Sequence, residues 1–290
     1  MGRIRSLLFV PADSEKKIAK ALTGSADALI LDLEDSVAPE RKGAARALCR
    51  ETLSAAAGGP KLFVRINALD TPDAIADLAS VMQGRPFGLM VPKCQSARDL
   101  TRLGDMLTVL EAREGMPAGQ TVLLPIVTET GRAMLGLGSY AETRVERLFG
   151  MLWGGEDLAA DLGAKSNRDE AGRGYAPPYQ LARSLCLYAA AAAGCAAIDS
   201  VFTDIRDDRG LEQEAIAAAR SGFVAKAAIH PSQVDIINRA FLPNADEIAQ
   251  AKRVVEAFTA AGAKGVAVLD GKMLDRPHHR SALRVLAAAE

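Results

Sequence analysis

Two carboxylates stand where apolar runs stop. In VLLPIVTETGRA the run ends at Glu129, and in RLFGMLWGGEDLAADLG it ends at Asp157. Each run reads as a buried strand that finishes in an acid and then turns into a helix. In a parallel α/β protein such ends share one rim of the sheet, the rim where chemistry is done. Two hard oxygen ligands with no His or Cys beside them suit Mg²⁺, with waters and substrate completing the octahedral shell. The same acids would also serve as helix N-caps or strand-end ion pairs, since negative charge suits a helix start. Glu156 is expected to point away from Asp157, because faces alternate along a strand.

Other charged residues occupy comparable places. Arg65 closes VRIN. Its guanidinium can grip a carboxylate or enolate oxygen with two parallel N–H bonds, or it can form a buried ion pair with Glu34. Asp32 and Glu34 lie two apart in LDLED, so they share a face, with Asp35 turned the other way. Facing inward, they would orient Arg65, Lys93 or waters of the metal; they could equally be structural. Lys93 ends VPK. A strand-end lysine invites an imine mechanism, but the metal pair makes that unnecessary and favours a structural ion pair. Lys16 and Lys20 are four apart, on one side of a helix. That spacing suits a phosphate or a solvated face. His230 precedes a proline and is expected to fix a turn, while His278 and His279 read as surface residues.

These residues need a scaffold that brings strand ends together. Eight apolar runs recur: SLLFVPA, DALILDLED, KLFVRIN, FGLMVPK, VLLPIVTET, RLFGMLWGGED, AAIDSVFTD and FVAKAAIHP. Their spacing of about 30 residues is that of a βα unit. Helical periodicity fills the gaps, as from Ser96 to Glu114, Tyr179 to Ala193 and Leu211 to Ser221. Strand and helix alternating eight times predict an α/β fold, a (β/α)₈ TIM barrel. An open doubly wound sheet is the runner-up; it would normally show GxGxxG after an early strand. LGLGSYAE lacks that context. The polar stretch AADLGAKSNRDEAGRGYAPP, after Asp157, is long enough to be a lid.

The barrel is expected over residues 1–243 and a C-terminal appendage over 244–290. The appendage reads as a helix from Asn244 to Ala261, a hairpin VAVLDGKML turning at Asp270-Gly271, and a last helix opened by Pro277. Lying beyond a closed barrel, it is expected to pack on a neighbouring subunit. The 290 residues are 49% hydrophobic, ample for a large core, and 35 basic against 36 acidic side chains leave a net charge of −1. No basic stripe or membrane-length apolar run is present, so neither nucleic acid nor a membrane is an expected partner. The first apolar run is too short for a signal peptide. Cys49, Cys94, Cys186 and Cys195 show no CxxC spacing, which suits reduced thiols in a cytoplasmic protein.

RSLLFVPADSEKK, LDLEDSVAPERK, VRIN, VPK, ETGRA, GGEDLAADLG, AIHPSQ and DGKMLDRP together resemble the HpcH/HpaI aldolase and citrate lyase beta-subunit family. The likeness runs nearly end to end. It is nearest to stand-alone lyases of the malyl-CoA and citramalyl-CoA type. It implies a (β/α)₈ barrel, Mg²⁺, and a homotrimer or hexamer. Glu129 and Asp157 match the metal carboxylates, and Arg65 the substrate-carboxylate arginine. Phe9, Lys16 and Lys20 match positions touching the CoA portion, with Arg5 a further candidate. Asp275 matches an acid/base aspartate supplied to a neighbouring subunit's site. The implied reaction cleaves or forms a 3-hydroxyacyl-CoA such as malyl-, citramalyl- or citryl-CoA, with a small 2-keto acid and an acyl-CoA ester as the other partners. A variant of the family adds thioester hydrolysis. Three alternatives stay open: the citryl carrier-protein lyase subunit of a citrate lyase complex, a class II pyruvate aldolase acting on free acids, and a non-enzymatic CoA-binding scaffold.

Overall fold

The structure, a computed structural model, describes residues 3–56, 58–172, 174–262 and 265–289. The chain divides into two compact units, the first ending at Asn238 and the second starting at Arg239.

The first unit opens with β1 (Ser6–Pro11), α1 (Glu15–Leu22), β2 (Ala28–Asp32), α2 (Lys42–Ala55), β3 (Lys61–Arg65) and α3 (Pro72–Val81). Next come β4 (Gly88–Val91), α4 (Ala97–Arg113), β5 (Val122–Pro125), the short helices α5 (Gly131–Gly136) and α6 (Ser139–Glu142), and β6 (Gly150–Leu152). It continues with α7 (Glu156–Asp161), α8 (Pro177–Ala193), β7 (Ala196–Asp199), α9 (Asp208–Ser221) and β8 (Ala225–Ala228), and α10 (Ser232–Ala240) crosses the boundary. Among the described residues, the eight strands form one parallel sheet in the order β5-β4-β3-β2-β1-β8-β7-β6. Bridges Leu123–Leu148 and Ile126–Leu152 join its two ends. The expected barrel is therefore present, and each apolar run supplied one strand.

Alternation decides what faces inward. Leu7 and Phe9, Ala28 and Ile30, Phe63, Met90, Leu124, Ile198 and Ala225 pack on one another inside the barrel. Their strand neighbours on the other face, Leu29, Leu31, Val64 and Leu89, are equally buried. A strand covered on both faces has to be apolar on both. The rings of Phe63, Phe87 and Phe149 meet at 5.1–5.9 Å, mostly edge to face. Phe87 and Phe149 immediately precede β4 and β6, so the plug sits toward the strand starts and leaves the finishing rim for polar side chains.

The seam between β5 and β6 is thin. It is carried by Leu123 N–H to Arg147 O at 2.7 Å, Phe149 N–H to Leu123 O at 2.9 Å and Val127 N–H to Leu152 O at 2.9 Å. Below it, Glu111 of α4 receives Arg147 through two guanidinium nitrogens at 2.7 Å and caps the amides of Gly119 and Thr121 at 2.8 Å. Glu111 is fully buried and Arg147 nearly so.

The second unit holds α11 (Ala245–Ala261), β9 (Val266–Leu269), β10 (Lys272–Asp275) and α12 (Arg276–Ala289). Asn244 and Glu247 form a capping box at the start of α11. The strands pair antiparallel, and Asp270 and Gly271 both have positive φ, the signature of a tight hairpin turn. Ala251 and Val254 pack with Ala282, Phe258 and Leu286. The helix, hairpin and helix expected after the barrel are all present.

The Glu111–Arg147 clasp generates a stability prediction. Glu111→Ala strips a buried guanidinium of its counter-charge, leaving it only Thr121 O and the Thr108 hydroxyl as acceptors, and leaves two backbone amides without their carboxylate. The unfolding free energy measured in urea should fall by about 3 kcal/mol, with ligand binding at the opposite rim retained by the folded fraction. A loss within experimental error would show the clasp to be dispensable.

Candidate active site

Asp32 is the last residue of β2 and shares the inward face of Ala28 and Ile30; Arg65 is the last of β3, in line with Phe63. The two strands are in register at this pair. Arg65 Nε and Nη2 each donate to Asp32 at 2.7 Å. Its Nη1 lies 2.9 Å from Glu34, and the Phe9 ring supports its guanidinium at 5.0 Å. Burial would lift the Asp32 carboxyl, but the paired guanidinium outweighs it and holds Asp32 below the usual carboxylate range. Arg65 is likewise held firmly charged: burial works against it, and Asp32, Glu34 and Asp35 overcome that. Three of its five N–H groups at most are engaged by Asp32 and Glu34, so donors are left for an anion.

Glu129 follows β5 by four residues, just ahead of Thr130, whose hydroxyl caps α5 by accepting from the Ala133 amide at 3.0 Å. The Thr128 hydroxyl accepts from Gly154 N–H at 2.9 Å and donates to Gly154 O at 3.1 Å, knotting the segments after β5 and β6. Gly154 has to be glycine, because a Cβ there would stand 2.8 Å from Glu129 Cγ. Asp161 of α7 accepts from Gly131 N–H at 2.7 Å, at the start of α5. These ties bring the two acid-bearing segments side by side.

Asp157 departs from its expected place. It lies in the first turn of α7 rather than at a strand end, because β6 stops at Leu152 and the chain turns at Gly154-Gly155. It nevertheless reaches the same rim, with Oδ1 3.5 Å from Lys93 Nζ. Glu156 is also on α7 rather than on a continuing strand, so strand alternation does not orient it; it accepts from Asn167 at 2.7 Å. Asp35 also differs from its expectation. Although exposed, its carboxylate comes back to 3.6 Å from Arg65 and 3.9 Å from Lys93.

Lys93 links the groups. Its backbone N–H donates to Glu129 Oε2 and its ammonium to Glu34 at 2.5 Å. The ion pair favoured from sequence is therefore formed. Burial pushes the Lys93 pKa down, but Glu34, Asp157 and Asp35 raise it well above its ordinary value, so the amine is not poised for imine chemistry.

Glu129 is buried and its carboxyl is pushed up to about 8. Burial is the largest cause; the Lys93 amide opposes it, while the charges of Asp157 and Glu34 reinforce it. An acid this buried, crowded by other acids, is the donor environment that a hard cation would relieve. Among the described residues no set of three or more His, Cys, Asp or Glu side chains forms a metal cage. A pair of carboxylates fits a cation that keeps water and substrate oxygens.

The remaining candidates are distributed differently. Phe9 lies under Arg65, inside the wall. Lys16 and Lys20 are exposed on α1, on the rim side of β1, and neither ammonium forms an ion pair with a described residue. Arg5 precedes β1, at the opposite rim, where Asp27 clasps it at 2.8 Å. His230 fixes its turn through the Ser232 hydroxyl at 2.8 Å. Asp275 belongs to the second unit, where its carboxylate meets His278 Nδ1 at 2.5 Å.

Sequence reasoning missed three supports. Thr128 immediately precedes ETGRA and Gly154 opens GGED, yet hydroxyl-to-backbone pairing leaves no pattern in composition. Lys42, in the APERK stretch, reaches back to Leu33 O at 3.2 Å and to the Asn67 side chain, fixing the backbone beside Glu34. The long loop after Asp157 is also more anchored than a free lid. Arg168 stacks on Tyr175 at 3.9 Å and pairs with Glu214 at 3.0 Å, and Tyr175 packs edge-on against Trp153. Glu214 shares the buried Lys226 with Asp199, both at 2.8 Å, and Asp199 also accepts from Trp153 Nε1 at 2.7 Å.

The HpcH/HpaI aldolase/citrate lyase family profile matches residues 5–231. A (3S)-malyl-CoA thioesterase of Cereibacter sphaeroides is 35% identical over 289 residues, covering 99% of this chain and 94% of that protein. The citrate lyase subunit beta of Escherichia coli is 34% identical over 291 residues, covering 99% and 93%. The crystal structure of protein CitE from Mycobacterium tuberculosis, in complex with magnesium, acetoacetate and coenzyme A, superposes with a TM-score of 0.81 at 35% identity, covering 99% of this chain and 98% of that one.

The Glu129 environment predicts a pH signature. In chelator, the folded protein keeps a proton on Glu129 that the unfolded chain, with an ordinary value of 4.5, has lost. Stability therefore falls as pH rises from about 4.5 to about 8. Glu129→Gln removes that loss. It should melt close to the parent at pH 5 and roughly 5 °C above it at pH 9. Excess divalent cation should reverse the order at pH 9, because only the parent gains a ligand. Equal melting temperatures at both pH values would count against the buried-acid reading.

Proposed function

Because the chain belongs to the HpcH/HpaI aldolase/citrate lyase family, we propose that it is a Mg²⁺-dependent carbon–carbon lyase acting on a CoA thioester and a keto acid. The observation that carries this reading is the convergence of Glu129 and Asp157 on Lys93 beside the Arg65–Asp32 pair. Glu129 and Asp157 would hold the metal. When bound, Mg²⁺ supplies charge stabilisation to the oxygens of a chelated 2-oxo or 2-hydroxy acid and lowers the cost of ionising the hydroxyl. Arg65, steadied by Asp32 and resting on Phe9, presents its unused N–H donors to the oxygen that becomes negative as the C–C bond breaks. Asp32 and Glu34 act through Arg65 and Lys93 by fixing where those cations stand.

Asp275 is the acid/base group in this reading. It protonates the enolate carbon in cleavage and takes the proton from the acyl-CoA in condensation. We assign it to a neighbouring subunit's site in a homotrimer or hexamer, because it lies in a second compact unit beyond the completed barrel. Lys16 and Lys20 take the phosphates of CoA, which suits two exposed ammonium groups on one helix face above β1. Phe9, beneath Arg65, meets the ligand at its acyl end. A cytoplasmic setting suits the four cysteines, all of which are free thiols. No helix among the described residues is long and apolar enough to cross a membrane.

A panel of acyl-CoA esters and 2-keto acids, incubated with Mg²⁺ and followed by mass spectrometry, should yield an adduct from at least one pair. Asp157→Ala should lower its turnover roughly a hundredfold or more while circular dichroism stays unchanged. Adduct formation that is unaffected by chelator or by this substitution would remove the metal from the mechanism.

Subunit mixing addresses Asp275. Asp275→Asn chains and Asp157→Ala chains should each be nearly inactive alone. Co-assembled, they should recover part of the parent activity, since some sites then combine an intact metal pair with an intact aspartate. If Asp275 serves its own chain, every site keeps one defect and mixing restores nothing.

A further inference from the structure

Lys93 has a backbone that is costly for its residue type. Its φ is 50°, in the left-handed region where glycine is favoured and a lysine side chain is strained. That conformation serves the main chain, since it accompanies the N–H bond to Glu129. Glycine would make the same bond without strain. A strained residue kept in a site points to a use for its side chain.

The side chain lies where charges are out of balance. Among the described residues, its ammonium is within ion-pair reach of three carboxylates, those of Glu34, Asp35 and Asp157. Arg65 already serves Asp32, Glu34 and Asp35. Two cations thus face four carboxylates, so Lys93 is shared among them rather than committed to Glu34 alone, and it is partly open to solvent at the rim. Its nitrogen is 3.5 Å from Asp157, so it repels any cation that Asp157 would hold and attracts any anion that follows.

We propose that Lys93 is a charge-balancing positioning residue, which weakens the rim's hold on a bare divalent cation and strengthens its hold on that cation together with an anionic oxo acid. This rests on the reading of Glu129 and Asp157 as cation ligands. Its consequence is selectivity for the assembled pair. The cation enters a site already partly neutralised by Lys93, and the oxo acid carboxylate then becomes the counter-ion that Asp157 supplies in the resting state.

The test uses Mn²⁺ and oxalate as probes, with Lys93→Met, Lys93→Gly and Lys93→Arg. Glycine suits the positive φ, so at least one neutral variant is expected to fold. Mn²⁺ affinity is measured by electron paramagnetic resonance on chelator-treated protein, and oxalate affinity by calorimetry on Mn²⁺-saturated protein. Both neutral variants should bind Mn²⁺ roughly three- to tenfold more tightly and oxalate weaker by a similar factor. Lys93→Arg should restore both toward the parent values. A structural lysine would give the opposite pattern for the metal: loss of Lys93 would loosen Glu129 and Asp157 and weaken both probes. Weakening of both, or no change in either, overturns the proposal. Asp157→Ala separates it from the reading beneath it. If that variant binds Mn²⁺ as the parent does, the cation site itself is misplaced and the proposal falls with it. If Asp157→Ala loses Mn²⁺ and the Lys93 variants change nothing, only the role of Lys93 fails.

Discussion

A carboxylate out of water and surrounded by others of its kind is the constraint that organises this rim. Glu129 is 2% exposed, and its surroundings favour the protonated form. Most of the nearby architecture compensates for that position or maintains it. The Lys93 amide turns inward to donate to it, and Gly154 lacks a Cβ so that it can lie flat. The Thr128 hydroxyl knots the two segments on which the acids ride. Arg65 would be a poor partner for Glu129, because Asp32 and Glu34 already engage it. The segments after β5 and β6 thus bring together carboxylates whose mutual repulsion the neighbouring cation offsets only in part.

Two charge systems lie on either side of the same wall and do different work. Inside, period-2 alternation places Asp32 and Arg65 at the ends of β2 and β3, whose lower positions are apolar, and Glu34 and Lys93 follow just beyond the ends of β2 and β4. Their exposed donors face the mouth of the barrel. Outside, Lys226 alternates outward between Ala225 and Ala227 and is fully buried with Asp199 and Glu214. Replacing one partner of such a set leaves an unpaired charge in a dry interior, which is far costlier than never having placed it there. Through Glu214 and Trp153 this outer set holds Arg168 and Tyr175. The loop after Asp157 is therefore registered to the barrel largely from the outer face of its wall.

Strand periodicity made the barrel legible in the sequence. Each of the eight apolar runs is buried on both faces, and that composition has few other outcomes. Asp32 and Arg65 could be placed because alternation fixes a side chain's face once the strand is known. Asp157 was harder, since β6 is only three residues long and the periodic signal ends before the acid. The chain then turns through two glycines, so the residue arrives on a helix. Asp35 shows the same limit: past the last strand residue, alternation no longer says which way a carboxylate turns. Thr128, Gly154 and Lys42 were invisible for another reason. Their contributions are bonds to backbone atoms of distant segments, and these leave no trace in spacing or composition.

The thin join between β5 and β6 has a mechanical meaning. The ladder that closes the sheet consists of two bridges and a few amide bonds. The two acids of the rim ride on the segments that leave those strands. An ion held by both would act as a rivet across the slit in the cylinder, so that loading the site and shutting the barrel become one equilibrium. Opening of the amides along that slit, seen as deuterium uptake at Leu123, Val127 and Phe149, then becomes a gauge of how tightly the far end of the same strands is bound.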